Sequence, residues 1–214
     1  MSVAACVAGE VQAGGNVIAI TISSKLSGSY NSACAAKDMV LEEQPDKKIA
    51  VIDSRSTGPE MVLLVKKICE LIESGADFEA VVEKAELYSR HTHVVFALSS
   101  FNNLVKNGRM SKIVGFVANK LGFWGIGIGS EQGTIEIKQK IRGSKKALDA
   151  IIEDMKERGY NCGKVVISHC RNAEFAESVK SAIQSVWDKA EVKIVRARGL
   201  CSYYAEKGGL IIGF

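Results

Sequence analysis

Two rhythms of apolar and polar residues run along the chain. Continuous apolar runs at 17–22, 49–53, 94–98, 164–168, 192–195 and 210–214 are short, rich in β-branched residues and bounded by turn formers, which marks buried strands. Residues 134–140 alternate instead, with Ile135, Ile137 and Gln139 set against Glu136, Lys138 and Lys140. That is the pattern of a half-exposed hairpin strand after a turn at 131–133. Helical spacing appears in Tyr30, Ala33, Cys34, Lys37 and Val40 up to about residue 43, and in Phe78, Val81, Val82, Ala85 and Tyr88. It returns in Ala147, Leu148, Ile151, Ile152 and Met155, and in Phe175, Ala176, Val179, Ile183 and Val186. Residues 61–74 are apolar on nearly all sides and predict a buried helix. Gly75 and Gly159 are read as helix ends, and Asp77, Ser144 and Asn172 as helix caps. Residues 102–121 predict two short helical pieces joined at 107–111.

The order strand 17–22, helix, strand 49–53 predicts a βαβ unit with parallel strands. The fold class is therefore α/β, with a domain boundary near 90 dividing 1–90 from 91–214. At 214 residues the chain can bury a sizeable core in one large or two small domains.

Composition narrows the function classes. The apolar fraction of 47% and charged fraction of 24% are those of an ordinary globular protein. No apolar run reaches the length of a membrane span, and residues 1–13 make a poor signal peptide, so a cytoplasmic location is expected. A net charge of +4 without a basic stripe interleaved with aromatics does not suggest nucleic-acid binding. None of the six cysteines forms a Cys-x-x-Cys pair, and buried free thiols are the better reading. His169 and Cys170 are adjacent at a strand end and would point to opposite faces, so no metal site is expected.

The most suggestive chemistry lies just after the first strand. Ser23, Ser24, Ser27 and Ser29 cluster around Gly28 where a helix begins. A helix amino terminus there offers free N–H groups and a positive dipole end, a natural place for a small anion. Ser27 or Ser29 could equally serve only as a helix cap. Residues 53–58, Asp-Ser-Arg-Ser-Thr-Gly, form a second polar loop at a strand's carboxyl end. Gly125, Gly127 and Gly129 do not make a dinucleotide fingerprint, and there is neither a Walker-type loop nor a Gly-x-Ser-x-Gly elbow. His91, His93 and His169 stand near no obvious nucleophile in sequence. Arg109 and Arg142 are either ligand contacts or solvated surface charges. So thin a catalytic inventory favours a binding protein over an enzyme.

Five ordered segments resemble the DegV family of fatty-acid-binding proteins. They are the serine loop 23–33, Val-Ile-Asp-Ser-Arg-Ser at 51–56, Asn-Leu-Val-Lys-Asn-Gly-Arg-Met-Ser-Lys at 103–112, Lys-Ile-Arg-Gly-Ser-Lys-Lys-Ala-Leu at 140–148, and Gly-Gly-Leu-Ile-Ile-Gly-Phe at 208–214. The resemblance covers about residues 16–214 and implies two α/β domains, the second with a mixed sheet and flanking helices. A cleft between them would hold a long-chain fatty acid, presented to a separate fatty acid kinase. The family's usual first segment, with a further strand and a carboxylate-gripping loop, has no counterpart here, so 1–90 would be a remnant of the first domain. The family's His-x-Gly-Pro-Gly loop is replaced by residues 204–208, Tyr-Ala-Glu-Lys-Gly. Tyr204 could donate in place of the histidine, and Glu206 would repel a carboxylate if it faced inward. Carried over residue by residue, Ser24 and Ser27 match the carboxylate-holding loop, and Gly28 matches the glycine of close approach. Arg109 and Arg142 match basic positions suited to a partner or phosphate. Phe96, Phe101, Ile113, Phe116, Leu121 and Phe123 are tunnel candidates, each of which could equally be plain core.

The favoured reading is a carrier with no cofactor and no catalysis of its own. The alternatives are a small-molecule hydrolase or transferase with Ser24 or Ser27 as nucleophile and His169 or His93 as base, and a truncated interaction module without ligand.

Overall fold

The structure, a computed structural model, describes residue 10 and residues 15–110 and 122–214. Two strands form a small parallel sheet, β1 (Val17–Thr21) and β2 (Ile49–Asp53), with Val17 opposite Ile49 and Thr21 opposite Asp53. Helix α1 (Ser29–Glu43) makes the crossover between them. Helices α2 (Pro59–Glu73) and α3 (Phe78–Ser89) follow. The Asp77 carboxylate caps α3 by accepting from the Ala80 N–H at 2.8 Å, as its sequence position predicts.

The rest of the chain builds a six-stranded mixed sheet. Its strands are β3 (Val94–Leu98), β4 (Phe123–Gly129), β5 (Ile135–Arg142), β6 (Lys164–His169), β7 (Glu191–Arg196) and β8 (Leu210–Gly213), in the order β5-β4-β3-β8-β6-β7. Only the β6–β7 pairing is parallel. The short α4 (Asn102–Lys106) follows β3, α5 (Ser144–Glu157) and α6 (Ala173–Val186) are longer, and α7 (Gly199–Ala205) precedes β8.

Strand β3 is buried along its whole length, so its two faces enter two different cores. Val95 and Ala97 join Ile167, Leu210 and Ile212 beneath the apolar stripes of α5 (Ala147, Ile151, Met155) and α6 (Ala176, Val179, Ile183). Val94, Phe96 and Leu98 face the other way, into a cluster with Phe101, Leu104, Ala205 and Ile211. A third cluster, Ile52, Leu64, Ile68, Leu71, Val81 and Ala85, holds β2 against α2 and α3.

The boundary predicted near residue 90 falls between α3 and β3, but α2 packs across it onto β6 and β8. Close approach there requires Gly213, because a Cβ at that position would stand 2.5 Å from the Glu60 nitrogen.

Several expectations change. Helix α2 is not buried on all sides, because Val62, Val65 and Ile72 remain exposed on the face turned away from both sheets. Ser144 is the first helical residue of α5 rather than its cap; Gly143 takes that place at φ 95. Asn172 stands at the cap position of α6, as predicted, but makes no side-chain capping bond; its Nδ2 donates to the Gly208 carbonyl at 2.7 Å. The alternating-glycine run is a full strand, β4, with a bulge between Ile126 and Gly127. Helix α7 lies where the sequence pattern predicted none, since its seven residues are too few to show a period. The second helical piece predicted before 121, together with Ile113, Phe116 and Leu121, lies outside the described residues.

Candidate functional site

A cavity of about 340 Å³ opens where the loops of the small sheet meet the second face of β3. That size lies within the range of small-molecule sites. Ile22, Leu26 and Ser27 come from the loop after β1, and Thr57, Gly58 and Met61 from the start of α2. Phe96, Leu98 and Ile211 form the sheet side, while Leu104 and Ile135 close one flank. Helix α7 supplies Leu200, Cys201, Tyr204 and Ala205. The lining is mostly apolar, and Arg109 is its one charged side chain among the described residues.

The hydroxyls of the serine loop are divided between structural and free roles. Ser23 is fully buried; its Oγ donates to the Gly133 carbonyl at 2.7 Å and accepts from the Lys25 N–H at 3.1 Å. The loop is thereby tied to the β4–β5 turn, 110 residues away. Asp53 joins the two polar loops, its Oδ1 accepting from the N–H of Ser24 at 3.1 Å and of Arg55 at 2.9 Å. Ser27 alone of the four serines lines the cavity. Its Oγ accepts from the Ser29 N–H at 3.2 Å, which leaves its own hydroxyl proton available. Neither Ser27 nor Ser29 caps α1; Gly28 is the cap residue, at an ordinary φ of −71, with open space where a Cβ would stand. The Ser29 hydroxyl is buried with no partner among the described residues. Ser24, Gly28 and Arg142 are not among the residues lining the cavity. Arg142 instead stands over the Phe123 ring at 5.8 Å, at the outer end of the β4–β5 ribbon.

Arg109 reaches back onto the serine loop. Its Nε donates to the Leu26 carbonyl at 3.2 Å, and its Nη1 donates to the Asn107 carbonyl. The guanidinium is therefore fixed beside Ser27, with further N–H donors to spare. Tyr204 lies on the α7 side, its ring at 73° to that of Tyr203 and 5.1 Å away. Glu206 does not line the cavity: its Oε1 accepts from the Ser100 hydroxyl at 2.8 Å and from the Asn103 N–H at 3.4 Å, at the start of α4. The carboxylate repulsion considered from sequence is thereby diverted.

Sequence reasoning missed Thr57, Gly58 and, on α7, Leu200, Cys201 and Ala205, having put forward only Tyr204 from that helix. Gly58 was legible in part, because it closes the second polar loop. Its φ of 62 with ψ −124 is a backbone conformation that only glycine adopts readily. Cys201, also unforeseen, lies in the cavity with its thiol pushed up by burial. Behind this wall, Glu60 is buried and accepts from Thr92 Oγ1 at 2.8 Å and from the Ser56 hydroxyl. Burial raises its carboxyl above the usual value of 4.5, and the two hydroxyls oppose that only in part.

No histidine lines the cavity. The His93 ring lies tilted at 56° to that of Phe214, 5.7 Å away, and the His169 Nδ1 accepts from the Asn172 N–H at 3.1 Å. A nucleophilic Ser27 has no base of that type in reach among the described residues. The arrangement suits holding an amphiphile: a long apolar lining, with hydroxyls and one guanidinium gathered at the serine loop.

Comparisons with known proteins identify the fold and the family. The family model described as "Uncharacterised protein, DegV family" matches residues 3–214. A DegV domain-containing protein of Streptococcus pyogenes serotype M1 is 46% identical over 199 residues, covering 93% of this chain and 71% of the relative. Among solved structures, a DegV family protein from Eubacterium eligens loaded with heptadecanoic acid superposes with a TM-score of 0.90. It is 38% identical, over 95% of this chain and 74% of that one. The Streptococcus pneumoniae fatty acid kinase B3 protein loaded with linoleic acid gives a TM-score of 0.89 at 44% identity, over 93% of this chain and 71% of that one. From its sequence and its fold alike, the chain belongs to the DegV family.

Proposed function

We infer that the chain binds a long-chain fatty acid, with its acyl tail among Phe96, Leu98, Leu104 and Ile211. Its carboxylate sits beside Ser27 and Arg109. The observation that carries this reading is the pairing of an apolar lining with the one cation that lines it among the described residues, Arg109, which donates to the Leu26 carbonyl next to Ser27. Each methylene withdrawn from water contributes about 0.8 kcal/mol before ordering costs. A guanidinium and one or two hydroxyls then orient the head. Tyr204 is a further donor from the α7 side. The relatives crystallised with heptadecanoic and linoleic acids support the ligand class. The relative named as a fatty acid kinase B protein supports a role in presenting the carboxyl group to a separate kinase. The chain itself performs no chemistry on the lipid.

The test is native mass spectrometry of the protein as purified and after incubation with palmitate or oleate, followed by solvent extraction. A one-to-one adduct with the mass of a free fatty acid is expected. An empty protein that takes up neither lipid overturns the reading.

A further inference from the structure

A second hollow, of about 490 Å³, lies on the other side of α7, and its character is the reverse of the first. Among the described residues three cations line it, Arg171, Arg196 and Lys207, together with Ser202 and Tyr203, and no acidic residue does. Some cations on this sheet and its helices are matched, Lys138 and Arg158 with Asp154 and Lys164 with Glu70, whereas others among the described residues, such as Lys145 and Lys146, stand singly on the exposed surface. Arg171, Arg196 and Lys207 have no carboxylate within 4.0 Å among the described residues. Three like charges held together without a counter-charge repel one another, and a polyanion between them relieves that cost.

The three residues belong to segments that the fold ties together. Arg196 ends β7 opposite His169 of β6, and the Ala197 N–H donates to the His169 carbonyl at 2.9 Å. Two residues beyond His169 stands Arg171, in the turn that leads into α6. Lys207 follows α7, where the Gly208 N–H donates to the Cys170 carbonyl at 2.8 Å and Asn172 Nδ2 donates to the Gly208 carbonyl at 2.7 Å. The hollow thus sits at the carboxyl ends of the one parallel pair in the six-stranded sheet. That is where open α/β sheets place ligands.

We propose that this hollow binds a phosphate monoester through Arg171, Arg196 and Lys207. Two guanidinium forks and an ammonium can donate to the three outer oxygens of a phosphate dianion, which offsets two of the three positive charges where a single carboxylate would offset one. The site is distinct from the lipid cavity and does not depend on it. Helix α7 separates the two, with Cys201 and Tyr204 on the cavity side and Ser202 and Tyr203 lining the hollow.

The test titrates the whole protein with inorganic phosphate and with glycerol 3-phosphate, at ionic strength held constant with chloride, and follows amide shifts by NMR. Saturable shifts confined to residues 169–173, 196–197 and 202–208 are expected. The double substitution R171Q/R196Q, at exposed positions, is expected to weaken binding at least about tenfold without lowering the unfolding temperature. K145Q/K146Q, at an exposed basic pair at the start of α5, is expected to leave binding unchanged. A parallel arm sediments the protein with phosphatidylcholine vesicles with and without phosphatidic acid. Arg171- and Arg196-dependent capture by the acidic vesicles alone assigns the phosphate to a lipid headgroup, and binding in the soluble arm assigns it to a free ester. Equal shifts with chloride, undiminished binding by R171Q/R196Q, or equal loss with K145Q/K146Q overturns the proposal.

Discussion

The two faces of the six-stranded sheet are built from the same strands and end differently. On one face, α5 and α6 lay down two fourteen-residue helices whose apolar stripes pack over Val95, Ala97, Ile167 and Ile212. On the other, Phe96, Leu98 and Ile211 are covered by the seven-residue α7, the first turns of α2 and two loops, and a cavity remains. The strand residues on both faces are equally apolar, so the hollow is not made by the sheet. It is made by the cover: short elements and loops held apart by specific hydrogen bonds cannot interdigitate as long amphipathic helices do.

Substitutions should separate the faces, and the largest effect is expected on the sealed one. Ile151→Ala removes a fully buried side chain from the filled core and should lower the unfolding free energy by about 2–5 kcal/mol in urea denaturation. Palmitate uptake per folded molecule should be unchanged; loss of uptake as well would mean the two faces are not independent. On the hollow face the order reverses. Cys201→Trp fills the cavity and should cut palmitate affinity by about tenfold or more, with a smaller loss of stability than Ile151→Ala. Arg109→Gln should weaken palmitate by about tenfold yet leave hexadecanol binding unaffected, because only the acid offers a charge to the guanidinium. Equal losses for acid and alcohol would assign Arg109 to packing alone.

The smallest effect concerns the pH dependence of the wall behind the cavity. Glu60 has its folded pKa raised by burial, so the folded chain holds that proton more tightly than the unfolded chain does. Its contribution to stability is therefore complete below the unfolded value of about 4.5 and is lost as pH rises through the higher folded value. Glu60→Gln should flatten that fall in urea midpoints measured from pH 4 to 8. An unchanged profile would show that Glu60 is ionised in the folded protein throughout.

The phosphate proposal stands apart from the lipid one. Either can fail alone, since R171Q/R196Q touches nothing that lines the cavity and Arg109→Gln touches nothing that lines the hollow.

Most elements could be read from local pattern. The β-branched runs of β1, β2, β3 and β6 and the stripes of α5 and α6 follow from which residues can hide one face from water, a question with a period of two or 3.6 residues. Even the Asp77 cap and the turn before β5 follow from residues within a few positions of each other. The family resemblance was legible as well, in five ordered segments. Tertiary structure decided which members of each local cluster do what. In sequence, Ser23, Ser24, Ser27 and Ser29 are interchangeable hydroxyls. Contact with Gly133 commits Ser23 to the scaffold, Asp53 engages the backbone of Ser24, and Ser27 is left to the cavity. Arg109 meets the serine loop only through Leu26, 83 residues earlier. Glu206 is turned from the cavity by Ser100 and Asn103, more than a hundred residues before it. Hydrophobic periodicity fixes which side of an element is buried, but a hydroxyl or guanidinium takes its role from the partner that lies within 3 Å or so of it. That partner is chosen by the packing of distant segments.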